Sequence, residues 1–156
     1  NSIRMLGRIG GQREYRYISR DYIEENPYID CYNLFLPEAN NSGHFGETLT
    51  LPTIGMPGDG SSDTFLSAGK FKTKQEAINL SLYIKTKFFR AMLGIKKVTQ
   101  HCPPKVWEMI PLQDFTPTSD IDWSKSVHEI DLQLYRKYGL DENEINFTET
   151  HVKEMA

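Results

Sequence analysis

The chain has 156 residues, long enough to bury one real core, and its 38% apolar and 25% charged fractions are those of an ordinary globular domain. It has no run of about 18 apolar residues, and its N-terminus "NSIRMLGRIGG" has no apolar stretch before a cleavage site, so neither a membrane span nor a signal peptide is expected, and the cytoplasm is the default. The net charge of −3 conceals a partition: nine Lys and Arg against one Glu between Lys70 and Val106, then four against eleven acids from Trp107 onward. Such asymmetry points to a side that faces a polyanion, set against the plainer reading of segments that neutralise each other in the fold.

In chain order, "REYRYISRDYI" (13–23) alternates Tyr and Ile and predicts a strand followed by a short irregular piece. Pro27 breaks the chain, and Ile29 to Leu36 predicts a buried strand ending at Pro37. Residues 40–63 hold five glycines and two prolines, a loop around at most one short strand, Thr48–Thr53. "TFLSAGKF" (64–71) predicts another strand. From Thr73 a long helix follows, with Leu80, Ile84, Phe88, Ala91 and Ile95 on its core face and Thr73 with Glu76 as a capping box; Gly94 marks a kink. Val106 to Leu112 predicts a strand. "SKSVHEIDLQLYRKYG" and "DENEINFTETHVKEM" predict a helix pair with Val127, Ile130, Leu134 and Tyr138 as one stripe, Gly139 as the stop and Asp141 with Glu144 as the second cap. The order defines an α+β fold of short strands, a long central helix and a C-terminal helix pair, in a single domain over 1–156. Within that domain residues 1–70 carry the strands and the loop, and residues 71–156 are helix-rich. The first residue is Asn, which leads us to expect a piece of a longer polypeptide.

Catalytic signatures are missing. "GRIGG" (7–11) matches neither phosphate-loop spacing and predicts a turn. His44, His101, His128 and His151 lie in four separate segments, and Cys31 and Cys102 are far apart, so no metal site and no disulfide are expected. No Asp or Glu stands two residues before a lysine, which the commonest metal-dependent nuclease arrangement requires. Asn26-Pro27-Tyr28 lacks the second proline of the motif with which amino-methylating enzymes hold a flipped base, and predicts a turn.

Three stretches, "YIKTKFFRAMLGIKKVTQ" (83–100), "VWEMIPLQDF" (106–115) and "SDIDWSKSVHEIDLQLYRKYGLDENEINFTETHVKEM" (119–155), resemble in order and spacing the C-terminal region of bacterial type II restriction–modification proteins that carry an adenine-specific DNA methyltransferase. The tail Gln133-Leu134-Tyr135-Arg136-Lys137-Tyr138-Gly139-Leu140, then Glu144-Ile145 and Phe147-Thr148-Glu149, carries the match; Thr148 stands where the family commonly has Ile. The resemblance covers roughly half of the chain. It implies a target-recognition domain that binds double-stranded DNA beside an upstream methyltransferase domain of the same chain. It implies no catalytic residue and no cofactor here, the parent using S-adenosylmethionine, and magnesium if it also cleaves.

On that reading Lys85, Lys87, Arg90, Lys96 and Lys97 ring the exposed side of the long helix and meet phosphates, which adds affinity without sequence information. Base readout falls to Arg4, Arg8, Arg13 and Arg16, with Asn40, Asn41 and His44 in the glycine-rich loop, because Arg on guanine and Asn on adenine are discriminating pairs. Two other readings stand beside it: a docking domain of the same enzyme that never touches DNA, and a nuclease whose residues escape alignment.

Overall fold

Gly10 and Gly11 both adopt positive φ, 59° and 82°, the backbone that a two-residue hairpin turn requires. They join β1 (Ser2–Ile9) to β2 (Gln12–Ser19) in an antiparallel ribbon with Ile9 opposite Gln12 and Ser2 opposite Ser19. The computed structural model describes residues 1–38, 44–96 and 104–155. Within it the chain forms two units, Asn1–Glu38 with Leu51–Ile78, and Ala39–Thr50 with Asn79–Ala156. Asn40, Asn41, Lys97, His101 and Cys102 lie outside the described residues.

The first unit holds two three-stranded sheets, ordered β2-β1-β5 and β4-β3-β6. A single 3₁₀ turn, Arg20–Tyr22, follows β2 as the expected irregular piece. In the predicted turn the Asn26 carboxamide oxygen accepts from the Tyr28 amide at 2.9 Å. β3 (Tyr32–Pro37) is buried along almost its whole length and pairs antiparallel with β4 (Thr53–Gly55) and β6 (Phe65–Phe71). β5 (Asp59–Ser61) pairs parallel with β1 through Arg4, Met5 and Leu6. Leu6, Phe35 and Phe65 form the core here, with Tyr15 packed against them. The glycine-rich stretch therefore yields β4 and β5 rather than one strand at Thr48–Thr53. β1 itself, which takes in the first three residues of "GRIGG" and leaves only Gly10 and Gly11 as the turn, was not expected: Arg4, Gly7 and Arg8 interrupt its apolar pattern, and the strand is fixed by its partners.

The long helix is two helices. α1 (Lys74–Lys85) starts with the predicted cap, Glu76 accepting from the Thr73 amide at 3.0 Å and Thr73 Oγ1 accepting from the Glu76 amide at 3.3 Å. At Thr86 the hydroxyl donates to the Tyr83 carbonyl at 2.6 Å and accepts from the Phe89 amide at 3.1 Å, closing one helix and capping the next. α2 (Lys87–Lys96) continues through Gly94 without a break, and Ile95, expected in the core, is 66% exposed. A short α3 (Pro104–Trp107) and irregular chain replace the strand expected at Val106–Leu112. Side chains bind the main chain there: Tyr83 donates to Pro111 O at 2.6 Å, Asn79 to Phe115 O at 2.9 Å and Trp123 to Asp114 O at 2.8 Å. α4 (Val127–Lys137) and α5 (Glu142–His151) form the predicted pair, each opened by a complete capping box, Ser126 with Glu129 and Asp141 with Glu144. Gly139, at φ 63°, ends α4. Ile130 and Leu134 are fully buried, and Tyr138 stacks on Phe88 at 5.0 Å between centroids.

Candidate nucleic-acid interface

In an antiparallel pair, opposed residues share a face, and every second residue along a strand returns to it. The register sets Arg4 opposite Tyr17, Leu6 opposite Tyr15 and Arg8 opposite Arg13, so three of the four predicted arginines and two tyrosines stand on one face of the ribbon. Leu6 and Tyr15 turn inward to the core, whereas Arg8, Arg13 and Tyr17 are exposed, Tyr17 by 74%. Arg16 stands on the other face and pairs with Glu14 at 2.9 Å.

The arginines are held differently. Arg4 gives both donors of its fork to Asp59, Nε at 2.8 Å and Nη2 at 2.7 Å, and lies over the Tyr15 ring at 4.3 Å. Asp59 is 4% exposed, and this bond raises the Arg4 pKa further above its ordinary value. Arg13 donates to Thr53 Oγ1 and to the Leu51 carbonyl, both at 2.6 Å, and Arg8 to the Gly11 carbonyl at 3.1 Å. Burial first, and then the charge of Arg8, lower the Arg13 pKa. Among the described residues neither Arg8 nor Arg13 meets a carboxylate. Two cations directly opposed on a ribbon repel each other, so an anion bridging them relieves an existing strain on the hairpin.

The helical cations divide. Lys87 donates to Glu149 Oε2 at 2.9 Å and to its carbonyl at 3.1 Å. Arg90, expected on the exposed side, is 2% exposed. Its guanidinium folds back to the Lys85 carbonyl at 3.0 Å and to Glu47 O at 3.4 Å, and burial lowers its pKa. The break at Thr86 resets the helical phase, so spacing counted across it placed Arg90 on the wrong face. Lys85 is half-buried in the last turn of α1, and Lys96 ends α2.

Around Lys87 lies a polar joint. Asp131 accepts from the Lys87 and Phe88 amides, each at 2.9 Å, and the Tyr135 hydroxyl donates to Glu149 Oε1 at 2.8 Å. Burial pushes Asp131 up to about 6 and the Tyr135 phenol well above its usual range. Burial also acts upward on Glu149, but bonds from Lys87 and Tyr135 outweigh it and hold that carboxyl below its ordinary value. Each of these shifts has a partner within the joint, which ties α4 and α5 to the start of α2.

Sequence reasoning named the arginines but missed Tyr15, Tyr17 and the ribbon that collects them; the signal was a Gly-Gly pair flanked by two eight-residue segments. No family model, curated protein or solved structure matches the chain. Among the described residues no helix is long and apolar enough to cross a membrane, and no group of three or more His, Cys, Asp or Glu is placed to hold a metal ion.

Proposed function

We propose that the chain is a DNA-binding target-recognition domain of a restriction–modification protein with an adenine-specific methyltransferase, and that it is not catalytic by itself. The observation that carries the reading is the opposed pair Arg8 and Arg13 near the tip of an exposed two-stranded ribbon, without a carboxylate partner among the described residues. A two-stranded ribbon fits the major groove of B-DNA, where arginine forks read guanine. Gly7–Ile9 and Gln12–Glu14 lie beyond the pairing with β5 and beyond the core residues Leu6 and Tyr15, and about three residues per strand at about 3.3 Å each give this tip a reach of roughly 10 Å. Tyr17 adds an exposed ring on the same face. The three C-terminal stretches support the parent class and the upstream methyltransferase domain as the intramolecular partner.

Arg4 orients the ribbon through Asp59, and Arg16 lies on its other face. Of the helical cations, Lys85 and Lys96 stay as candidates for phosphate contact; Lys87 and Arg90 are engaged within the protein. Duplex binding followed by fluorescence anisotropy between 50 and 200 mM salt, about the range over which phosphate contacts weaken measurably, tests the reading. Affinity falls steeply with salt in the native chain, and Arg8→Glu weakens binding at low salt and reduces the salt slope by about one. No binding at about 50 mM salt by the full-length parent, or an unchanged slope in Arg8→Glu, counts against it.

The docking reading draws on Leu112 and Met109, 89% and 52% exposed in the second unit. It expects the chain to bind the parent's catalytic half and to ignore DNA.

A further inference from the structure

β2 is the edge strand of its sheet, and one side of its main chain is free. The Arg4 amide donates to the Gly58 carbonyl at 3.1 Å, and the Leu6 carbonyl accepts from the Ser62 amide at 2.9 Å, so at Arg4 and Leu6 the main chain of β1 faces away from β2. In an antiparallel pair such positions alternate with hydrogen-bonded ones, and the residues opposite them, Tyr17 and Tyr15, turn their own N–H and C=O outward. Arg13, opposite Arg8, does the same. Among the described residues none of these outward main-chain groups has a hydrogen-bond partner. Apart from the half-buried Tyr15 and Ser19, every residue of β2 is exposed.

An exposed edge is a template for another strand, and its side chains decide which strand fits. Glu14 and Arg16 stand on the outer face, between the outward-facing positions. When two β2 strands pair antiparallel, these residues fall at the sites without hydrogen bonds, where opposed Cα atoms are about 4.5 Å apart and side chains are closest. Permitted registers differ by two residues. Shifted one way, Glu14 meets the second copy's Glu14; shifted the other way, Arg16 meets its Arg16. Only the register centred on Tyr15 sets each Glu14 against the other copy's Arg16, and it places Arg13 opposite Tyr17 on the inner face. The Glu14 and Arg16 pair of each strand, 2.9 Å apart, then joins a ring of alternating charge. We propose that β2 is a homodimerisation edge, on which two copies pair about a two-fold axis at Tyr15 to give one continuous sheet, β5-β1-β2-β2-β1-β5. The contact is isologous, so it closes at two copies. It also sets the second copy's Ser19 beside Gly11, so pairing and insertion of the ribbon tip into a DNA groove are alternative uses of one ribbon, and the dimer is the DNA-free form.

Sedimentation equilibrium of the whole chain without DNA, at low salt, tests the proposal. Two short strands form a small, transient interface, so the native chain dimerises with a Kd between about 10 μM and 1 mM. Glu14→Arg sets arginines against each other at both charged sites, and Arg16→Glu does the same with carboxylates. Each weakens the dimer about tenfold or more. Both side chains are exposed, and each variant keeps the native melting transition, so the loss is one of association. The double variant Glu14→Arg/Arg16→Glu restores opposite charges across the axis and recovers the dimer. An equimolar mixture of the two single variants forms a mixed dimer for the same reason. A native chain that stays monomeric at about 1 mM leaves the edge to a strand of another protein and overturns the proposal. A dimer that ignores either single change, or a double variant that fails to recover, overturns it as well. Because no DNA is present, the result is independent of whether the chain binds a duplex.

Discussion

Asp131 on α4 caps Phe88 at the start of α2 from 43 residues away, through an amide-to-carboxylate bond of 2.9 Å. The Lys87 amide takes the other carboxylate oxygen. The first turn of α2 thus has a local cap in Thr86 and a remote one in Asp131, and the remote one fixes where α4 docks.

Because burial raises Asp131 to about 6 from an ordinary 3.8, the folded chain binds more protons than the unfolded chain between those values. Stability contributed by this group is therefore greatest below about pH 4, falls as pH rises towards about 6, and is level above. The two values correspond to a loss of about 2–3 kcal/mol. Asp131→Asn keeps one acceptor and faces the second amide with an NH₂ group, so it is less stable than the native chain at about pH 4 by about 1–3 kcal/mol. That gap narrows towards zero by about pH 7. Urea denaturation of both proteins across this range checks it, and a gap that widens with pH contradicts the assignment.

Arg8→Glu separates folding from binding. It replaces a repulsive cross-strand pair with an attractive one, opposite Arg13, and after solvent screening it stabilises the ribbon by about 0.5 kcal/mol. The same change removes the cation that the proposed DNA contact uses. The melting temperature rises slightly while duplex affinity falls. A variant that loses affinity and stability together points instead to damaged structure.

The parts of the fold set by local chemistry were legible in the sequence. Thr73 with Glu76, and Asp141 with Glu144, announce helix starts because both partners of a capping box lie within about four residues. What was missed depends on distant partners. The break at Thr86 is held partly by Asp131, beyond any local window, and it moves Arg90 inward and Ile95 outward. The segment after Trp107 has apolar residues enough for a strand, but its carbonyls are claimed by Tyr83, Trp123 and Asn79 rather than by a neighbouring strand. The basic–aromatic face was half legible: the arginines were visible, but the pairing that aligns them with Tyr15 and Tyr17 was not.

Arg90 carries the opposite expectation to Arg8. Its side chain is buried and its donors satisfy the Lys85 carbonyl, so Arg90→Ala leaves a cavity and strips that carbonyl of a partner. The expected loss is about 2–4 kcal/mol of stability. Folded Arg90→Ala, assayed at low temperature, binds duplex DNA as the native chain does. Reduced binding with native stability returns Arg90 to the interface.

Gly10 and Gly55 are both small for different reasons, and substitution distinguishes them. At Gly10, φ is 59° and nothing lies within 4 Å of an added Cβ. Asparagine tolerates this conformation and is favoured there in two-residue hairpin turns. Gly10→Asn restricts the unfolded chain and stabilises the fold by about 0.5–1 kcal/mol. Gly55 pairs with Asn33, and a Cβ on it would overlap both the Asn33 carboxamide oxygen and the Phe35 ring. Gly55→Ala therefore displaces two buried groups and costs about 1–3 kcal/mol. Paired urea melts read both effects.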